Sequence, residues 1–159
     1  PPEKPMTDSE LRASLTDIEA LTLTIFGEAR GEPLEGKAAV ASVVMNRVKH
    51  PDRFADTIRG VCLQPKQFSC WNPGADVNHA RLMAMAERLK ADHLGTDPDG
   101  AMMAECRWIA EGYANGVLRS RVDDADHYLT RQLWLSNARP SWADAPVQTV
   151  GAQVFMKVA

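Results

Sequence analysis

Apolar residues recur at helical spacing along most of the chain. The first such stretch follows Thr16, which forms a capping box with Glu19, an arrangement that satisfies backbone N–H groups at the start of a helix. The pattern continues until Gly31 and Pro33 interrupt it. Its apolar members are Ile18, Leu21, Ile25 and Ala29. Their spacing predicts a helix that ends close to Gly31.

Residues 34–49 are apolar on nearly every side in the first half of the stretch. Most of these residues are small or β-branched: Ala38, Val40, Ala41, Val43, Val44 and Val48. A helix without a polar face packs against neighbours on several sides. We therefore predict that this stretch forms the central core helix.

Three further helices are predicted from similar patterns. They cover residues 54–60, 76–94 and 97–116. The third begins with Asp97 as a helix-capping residue and Pro98 in the first turn, where proline is well tolerated. Residues 61–74 contain two prolines and are predicted to be irregular or extended.

The two ends of the chain have different patterns. Beyond residue 118, the acidic run 123–126 leads into an extended segment, and the weak alternation over 147–158 predicts a terminal strand. Residues 1–15 are rich in proline and charge, which predicts a loose tail or linker before an ordered domain at 16–159. The expected fold class is mainly α (α+β), with a small β element.

Composition narrows the range of functions. The chain has 159 residues, of which 45% are hydrophobic and 25% charged, as in an ordinary folded domain, and we expect a monomer. Its net charge of -3 argues against nucleic acid as a partner, because that binding needs clustered cations. The longest apolar run, 38–45, is far shorter than the roughly 20 residues of a membrane span.

The cysteines and histidines leave open a disulfide but give little support to a metal site. Cys62 and Cys70 can close a short loop in an oxidising compartment or remain thiols, and Cys106 leaves an odd count. A metal-dependent peptidase or amidase is an alternative function, but the histidines show no HExxH or similar spacing. They are His50, His79, His93 and His127. We expect no metal and no cofactor.

Glu28 is the first candidate for catalysis. It lies at the end of the first predicted helix, on the flank of the apolar stripe, where Gly27 and Gly31 leave room for another molecule. Partial burial raises the pKa of a carboxyl group, as a general acid near neutral pH requires. A structural alternative is a helix-end glutamate that pairs with Arg30 or Lys37.

A longer motif surrounds Glu28. It consists of residues 27–33 (GEARGEP), 36–41 (GKAAVA) and 43–48 (VVMNRV). This motif resembles the opening of the SleB/CwlJ-type cell wall hydrolases, and the likeness continues over residues 67–70, 125–128, 140–142 and 150–155. The resemblance implies a lysozyme-like or lytic transglycosylase-like helical domain. It also implies that peptidoglycan is cut between N-acetylmuramic acid and N-acetylglucosamine, with Glu28 as the catalytic acid.

The resemblance favours a lytic transglycosylase, which forms 1,6-anhydromuramic acid. In that reaction one carboxyl group protonates the leaving oxygen and then deprotonates the sugar's own 6-hydroxyl, so one acid suffices. The alternative is a muramidase-type hydrolase with a second carboxylate about 5 to 9.5 Å away. Glu32 is the first candidate for that second carboxylate. The others are Glu35, Asp123, Asp124 and Asp126.

The resemblance also suggests which residues line a sugar-binding groove. They are Gln67, Phe68, Ser69, His127 and Tyr128. Saccharides need hydrogen-bonding groups beside aromatic faces, although each of these side chains also has an ordinary structural explanation. The tryptophans at 71, 108, 134 and 142 are further groove candidates. Asn46 and Arg47 are expected to brace the catalytic helix.

The predicted partner is the glycan strand of peptidoglycan, and a wall-binding module without activity is the remaining alternative. An intact Glu28 in an intact motif argues against loss of activity. No signal peptide is visible at the start of the chain. We expect the protein in the cell envelope, the periplasm or the extracellular wall, or delivered by a phage as an endolysin.

Overall fold

Seven α-helices and three strands form the part of the chain that the computed structural model describes, residues 4–74, 78–143 and 145–159. The helices are α1 Asp8–Ala13, α2 Asp17–Ala29, α3 Leu34–Val48, α4 Ile58–Leu63, α5 His79–Lys90, α6 Pro98–Ala114 and α7 Arg131–Trp134. The strands are β1 His127–Thr130, β2 Gln148–Val150 and β3 Gln153–Met156. The predicted class, mainly α with a small β element, is confirmed.

Helix α2 occupies the centre of the helical part and contacts α3, α4, α5 and α6. The Thr16 capping box is present at its start. Thr22 and Thr24 are fully buried because their hydroxyls donate to carbonyls one turn earlier, 2.6 and 2.8 Å away. The apolar pattern of residues 34–49 predicted α3 as the central core helix instead. Helix α3 is also largely buried, but α2 has that central position.

Residues 8–15 form helix α1 and a connection that is anchored in the core, which differs from the loose tail predicted for residues 1–15. Thr7 and Glu10 form a second capping box that starts α1, and Leu11 and Leu15 are buried in the main core. The Arg59 guanidinium donates to the carbonyl of Leu15 at 3.1 Å. Proline and charge dominate the composition here and obscured two buried leucines.

The other predicted helices differ from the observed ones mainly at their ends. Helix α6 follows Asp97 as predicted and is capped by Asn115. Helix α4 starts later than predicted because the Thr57 hydroxyl accepts from the backbone N–H of Gly60. Helix α5 is described from His79, while its predicted start at residue 76 lies outside the described residues. The irregular stretch contains one 3-10 turn, Ser69–Trp71.

The C-terminal region forms two strands where the sequence predicted one over 147–158. Strands β2 and β3 form a hairpin, and Gly151 in its turn has a φ of +56°, a conformation that glycine adopts without strain. The antiparallel order is β1-β3-β2, with Tyr128 opposite Phe155. Phe155 packs against Ala39 and Val43 of α3, which fixes the sheet on the helical part.

A membrane span is not found among the helices of the described residues, because none is both long and apolar enough.

Candidate functional site

A cleft of about 320 Å³ lies where the end of α3, the 64–69 turn and the start of β1 meet. It is lined by Arg47, Lys66, Gln67, Phe68, His127, Tyr128, Trp142 and Val158. Four of the five residues predicted for a groove are therefore together. The fifth, Ser69, is exposed at the start of the 3-10 turn and lies outside this lining.

Glu28 lies beside this cleft, in the last turn of α2, and is partly buried. Its carboxylate shares a hydrogen bond with the Tyr128 hydroxyl. Burial and the negative charge of Glu28 together raise the pKa of Tyr128 well above its ordinary value, so the phenol stays protonated and donates. Tyr128 thereby holds the Glu28 carboxylate next to the cleft.

The two cations that the sequence offered as partners for Glu28 bind other residues. The Lys37 ammonium lies 3.1 Å from the carboxylate of Glu105, a residue of α6. The Arg30 guanidinium donates to the Asn78 side-chain oxygen at 2.8 Å. Both cations are therefore engaged elsewhere in the fold.

The two glycines that flank Glu28 have different surroundings. A Cβ atom at Gly27 would lie 2.6 Å from the Cβ and 2.7 Å from the Sγ of Cys70. The room predicted at Gly27 is thus filled by Cys70, whose close packing requires glycine there. A Cβ atom at Gly31 would meet nothing within 4 Å, so only Gly31 borders open space.

His127 is held in one orientation on the cleft wall. Its Nδ1 atom lies 2.8 Å from the Asp126 carboxylate, which also accepts the backbone N–H groups of Val158 and Ala159 at 2.8 and 3.0 Å. The ring stacks obliquely on Trp142, with centroids 5.2 Å apart. Since Nδ1 faces Asp126, the other ring nitrogen is the one available to a ligand.

Replacing Asp126 with asparagine is expected to lower stability in a pH-dependent way. Burial raises the pKa of Asp126, but the hydrogen bonds from His127, Val158 and Ala159 outweigh it and leave the pKa below its ordinary value. Because the folded-state pKa is the lower one, the carboxylate stabilises the fold above about pH 4 and that contribution is lost as pH falls further. At pH 7, Asp126→Asn should lose about 2 kcal/mol.

Urea unfolding between pH 7 and pH 3 measures this effect. The wild-type curve should fall more steeply toward acid than the Asp126→Asn curve. Asp124→Asn is the control, because Asp124 is exposed and only loosely paired with Lys157, at 3.6 Å. Parallel curves for wild type and Asp126→Asn would contradict the assigned role of this carboxylate.

Arg47 lines the cleft, whereas the sequence predicted that it braces the catalytic helix. Its Nε donates to the Asp126 carbonyl at 2.7 Å, and a terminal nitrogen donates to the Gln67 side-chain oxygen at 3.2 Å. The guanidinium lies over the rings of Phe54 and Phe68, 5.1 Å from each centroid. Only 4% of the residue is exposed. Arg47 therefore fixes Gln67 at the base of the cleft.

Asn46 braces the loop before β1, where the sequence analysis expected it to brace the catalytic helix. Its amide donates to the carbonyls of Asp123 and Ala125, both at 2.8 Å. These bonds position the segment that carries His127 and Tyr128. The sequence contained no local signal for this contact, since the partners are more than seventy positions apart.

The four tryptophans have separate environments. Trp142 lines the cleft and is 45% exposed. Trp71 is buried, and its indole N–H donates to the Thr24 hydroxyl at 3.0 Å. Trp134 stacks under Arg139, and Trp108 is exposed on α6. Only Trp142 is in the cleft lining.

None of the candidate second carboxylates is in the lining of the cleft. A Cβ atom at Gly151 would lie 2.7 Å from a Glu32 carboxylate oxygen, which places Glu32 over the β2–β3 turn. Glu35 borders another depression, of about 610 Å³, beside β2. Asp123 and Asp124 are exposed, and Asp126 is bonded as described above. Among the described residues that line the cleft, none is aspartate or glutamate.

Two further alternatives from the sequence, a metal site and a disulfide, concern the histidines and cysteines. Within the described ranges, no three His, Cys, Asp or Glu side chains converge to form a metal site. Cys62, Cys70 and Cys106 are all buried thiols, so Cys62 and Cys70 are not bridged. Burial raises the pKa of Cys62 and of Cys106 to about 12.

Sequence comparison gives a family match and several partial relatives. The profile of the family described as Cell Wall Hydrolase matches residues 31–156, a range that starts after Glu28. The spore cortex-lytic enzyme of Oceanobacillus iheyensis is 45% identical over 56 residues, which cover 35% of this chain and 20% of the relative. The Bacillus subtilis enzyme of the same name is 43% identical over 56 residues, covering 35% and 18%.

A third relative extends the aligned region slightly. The spore cortex-lytic enzyme of Bacillus cereus is 38% identical over 69 residues, which cover 43% of this chain and 26% of the relative. The aligned part of the chain therefore spans only about a fifth to a quarter of the length of these curated relatives.

Two solved structures share the fold. One is the catalytic domain of the germination-specific lytic transglycosylase SleB from Bacillus anthracis, with a TM-score of 0.58 and 22% identity, covering 91% of this chain and 98% of that one. The other is the catalytic domain of the Bacillus cereus SleB protein, with a TM-score of 0.54 and 22% identity, covering 89% of each chain. At this level of identity the likeness establishes the fold.

Proposed function

Because the chain belongs to the cell wall hydrolase family, we propose that it cleaves the glycan strand of peptidoglycan between N-acetylmuramic acid and N-acetylglucosamine. The observation that carries the proposal is the hydrogen bond from Tyr128 to Glu28. It lies beside a cleft whose lining combines hydrogen-bonding and aromatic side chains, as sugar binding requires. We assign Glu28 as the catalytic acid. The cell wall is the expected place of action.

Glu28 performs the proton transfers in the proposed reaction. Its carboxyl group protonates the glycosidic oxygen as the bond to the anomeric carbon breaks. The resulting carboxylate then removes the proton of the muramyl 6-hydroxyl, which attacks the anomeric carbon and closes the 1,6-anhydro ring. The acid is regenerated in this second step, so one carboxyl group completes the cycle.

The distribution of carboxylates supports a lytic transglycosylase over a hydrolase. A glycoside hydrolase places a second carboxylate within about 9.5 Å of the first, to act as nucleophile or to activate water. The sequence candidate for that role, Glu32, lies against the β2–β3 turn at Gly151. Among the described residues that line the cleft beside Glu28, none is aspartate or glutamate, which favours the sugar's own hydroxyl as nucleophile.

The remaining lining residues supply the contacts that a saccharide needs. Gln67 is held by Arg47 and His127 by Asp126, so both present hydrogen-bonding groups in fixed orientations. Trp142 offers an exposed apolar face for the CH surface of a sugar ring. Phe68, which the sequence also suggested for the groove, is only 2% exposed and packs in the core beneath Arg47. We assign Gln67, His127 and Trp142 to substrate binding.

Mass spectrometry of the muropeptides released from purified peptidoglycan tests the proposal. A lytic transglycosylase releases 1,6-anhydromuramic ends, which are lighter than hydrolysed reducing ends by one water. We expect anhydro ends. Reducing muramic acid ends would instead make the enzyme a muramidase and require a second carboxylate. Absence of any glycan product would leave the wall-binding alternative.

A further inference from the structure

The cleft beside Glu28 is cationic in a protein whose net charge is -3. Its lining contains two permanent cations, the guanidinium of Arg47 and the ammonium of Lys66. The described lining contains no aspartate or glutamate, and the Asp126 carboxylate behind it is paired with His127. A cleft with one sign of charge concentrates ligands of the opposite sign.

Arg47 is the more unusual of the two permanent cations. It is almost fully buried, yet its two hydrogen-bond acceptors are neutral, a backbone carbonyl and the Gln67 amide. The nearby Asp126 carboxylate already accepts from His127 and from two backbone N–H groups. A buried cation without an ion-pair partner is costly, and an anion in the cleft offsets that cost.

Lys66 complements Arg47 at the rim of the cleft. Its side chain is exposed and forms no hydrogen bond or ion pair with any side chain in the described ranges. A flexible lysine at a rim attracts an anionic group without enclosing it. The cleft thus has one cation at its exposed rim and one at its buried base.

We propose that the cleft recognises a carboxylate on the muramyl residue next to the scissile bond, with Lys66 at the rim and Arg47 at the base as specificity-determining residues. This proposal rests on the proposed function and names its substrate class, glycan strands whose muramyl substituents are negatively charged. Two sources carry such a carboxylate: the lactyl group itself, and the stem peptide attached to it.

Binding to matched glycan strands tests the proposal. The Glu28→Gln protein binds without cleaving, so dissociation constants can be measured by calorimetry. Four strand preparations are needed: with stem peptides, and with the stems removed to free the lactyl carboxylates, each with carboxyls intact or capped as neutral amides. We expect the carboxylate strands to bind about fivefold more tightly than their amides. Adding Lys66→Gln should reduce that ratio toward one.

Lys49→Gln is the matched control. Lys49 is an exposed cation at the end of α3 and borders a different depression, with Tyr113 and Leu118. Its replacement changes the net charge of the protein by the same amount as Lys66→Gln but leaves the cleft unchanged. The ratio should stay at its original value in this variant. Melting curves establish that both lysine variants are folded.

The binding ratios decide which group supplies the carboxylate and whether the proposal holds. A preference with stripped strands assigns the lactyl group, and a preference only with stem-bearing strands assigns the peptide. Equal binding of carboxylate and amide strands, no binding of either, or a ratio that Lys66→Gln leaves unchanged overturns the proposal. Absence of cleavage by wild type, with the binding preference intact, would reject the proposed function and leave this inference standing.

Discussion

Replacing Glu28 with glutamine is expected to reduce the rate of muropeptide release by roughly 10²–10⁴-fold, the usual contribution of a general acid. Glutamine has nearly the same shape as glutamate, and its side-chain oxygen can still accept the hydrogen bond from Tyr128. It has no proton to transfer to the glycosidic oxygen. The loss should therefore appear in kcat, with little change in fold.

Initial rates on purified peptidoglycan, with melting temperatures measured in parallel, check this expectation. Glu32→Gln is the matched control, because Glu32 belongs to the same motif but lies over the β2–β3 turn. Its rate should remain close to that of wild type. Full activity of Glu28→Gln would reject Glu28 as the acid, and equal losses in both variants would support the two-carboxylate hydrolase.

Replacing Gly27 with alanine is expected to destabilise the protein by about 1–3 kcal/mol, as overpacking a close contact does. The new Cβ atom would lie 2.6 Å from the Cβ of Cys70, closer than real contacts allow, so α2 or the 3-10 turn has to move. Glu28 is the next residue along α2. We therefore expect activity to fall in the folded fraction as well.

Gly31→Ala is the comparison for this prediction, since the added methyl group would meet no atom within 4 Å. Urea unfolding and cleavage rates of the two variants should differ clearly, with Gly31→Ala near wild type. If Gly27→Ala proved as stable and as active as Gly31→Ala, the inference that Cys70 packs too tightly against α2 to admit a methyl group would be wrong.

Local signals predicted most of the helices. The Thr16 capping box and the Asp97–Pro98 start are determined by neighbouring residues, and both occur as predicted. The Thr7 capping box was just as local, but the charged composition around it concealed α1. The predicted terminal strand is a hairpin that turns at Gly151. The prediction missed the turn because weak alternation does not distinguish one strand from a hairpin whose first strand is exposed.

The candidate site was predictable only where a motif was present. The resemblance identified Glu28, Gln67, His127 and Tyr128 as candidate site residues. The fold places the last three in one cleft, with Glu28 beside it. Whether they bind substrate stays a prediction. Arg47 was assigned a bracing role because a cation on an apolar helix gives no sequence sign of the partners that surround it. Those partners come from the 64–69 turn and the loop before β1.

The rates at which the buried thiols are alkylated report how often the core opens. Alkylating reagents attack the thiolate, and a pKa of about 12 leaves about one thiol in a hundred thousand ionised at neutral pH for Cys62 and Cys106. Labelling must therefore wait until the surrounding helices separate. Cys62 lies on α4 and Cys106 on α6, so their labelling rates time the opening of two regions around α2 without any added probe.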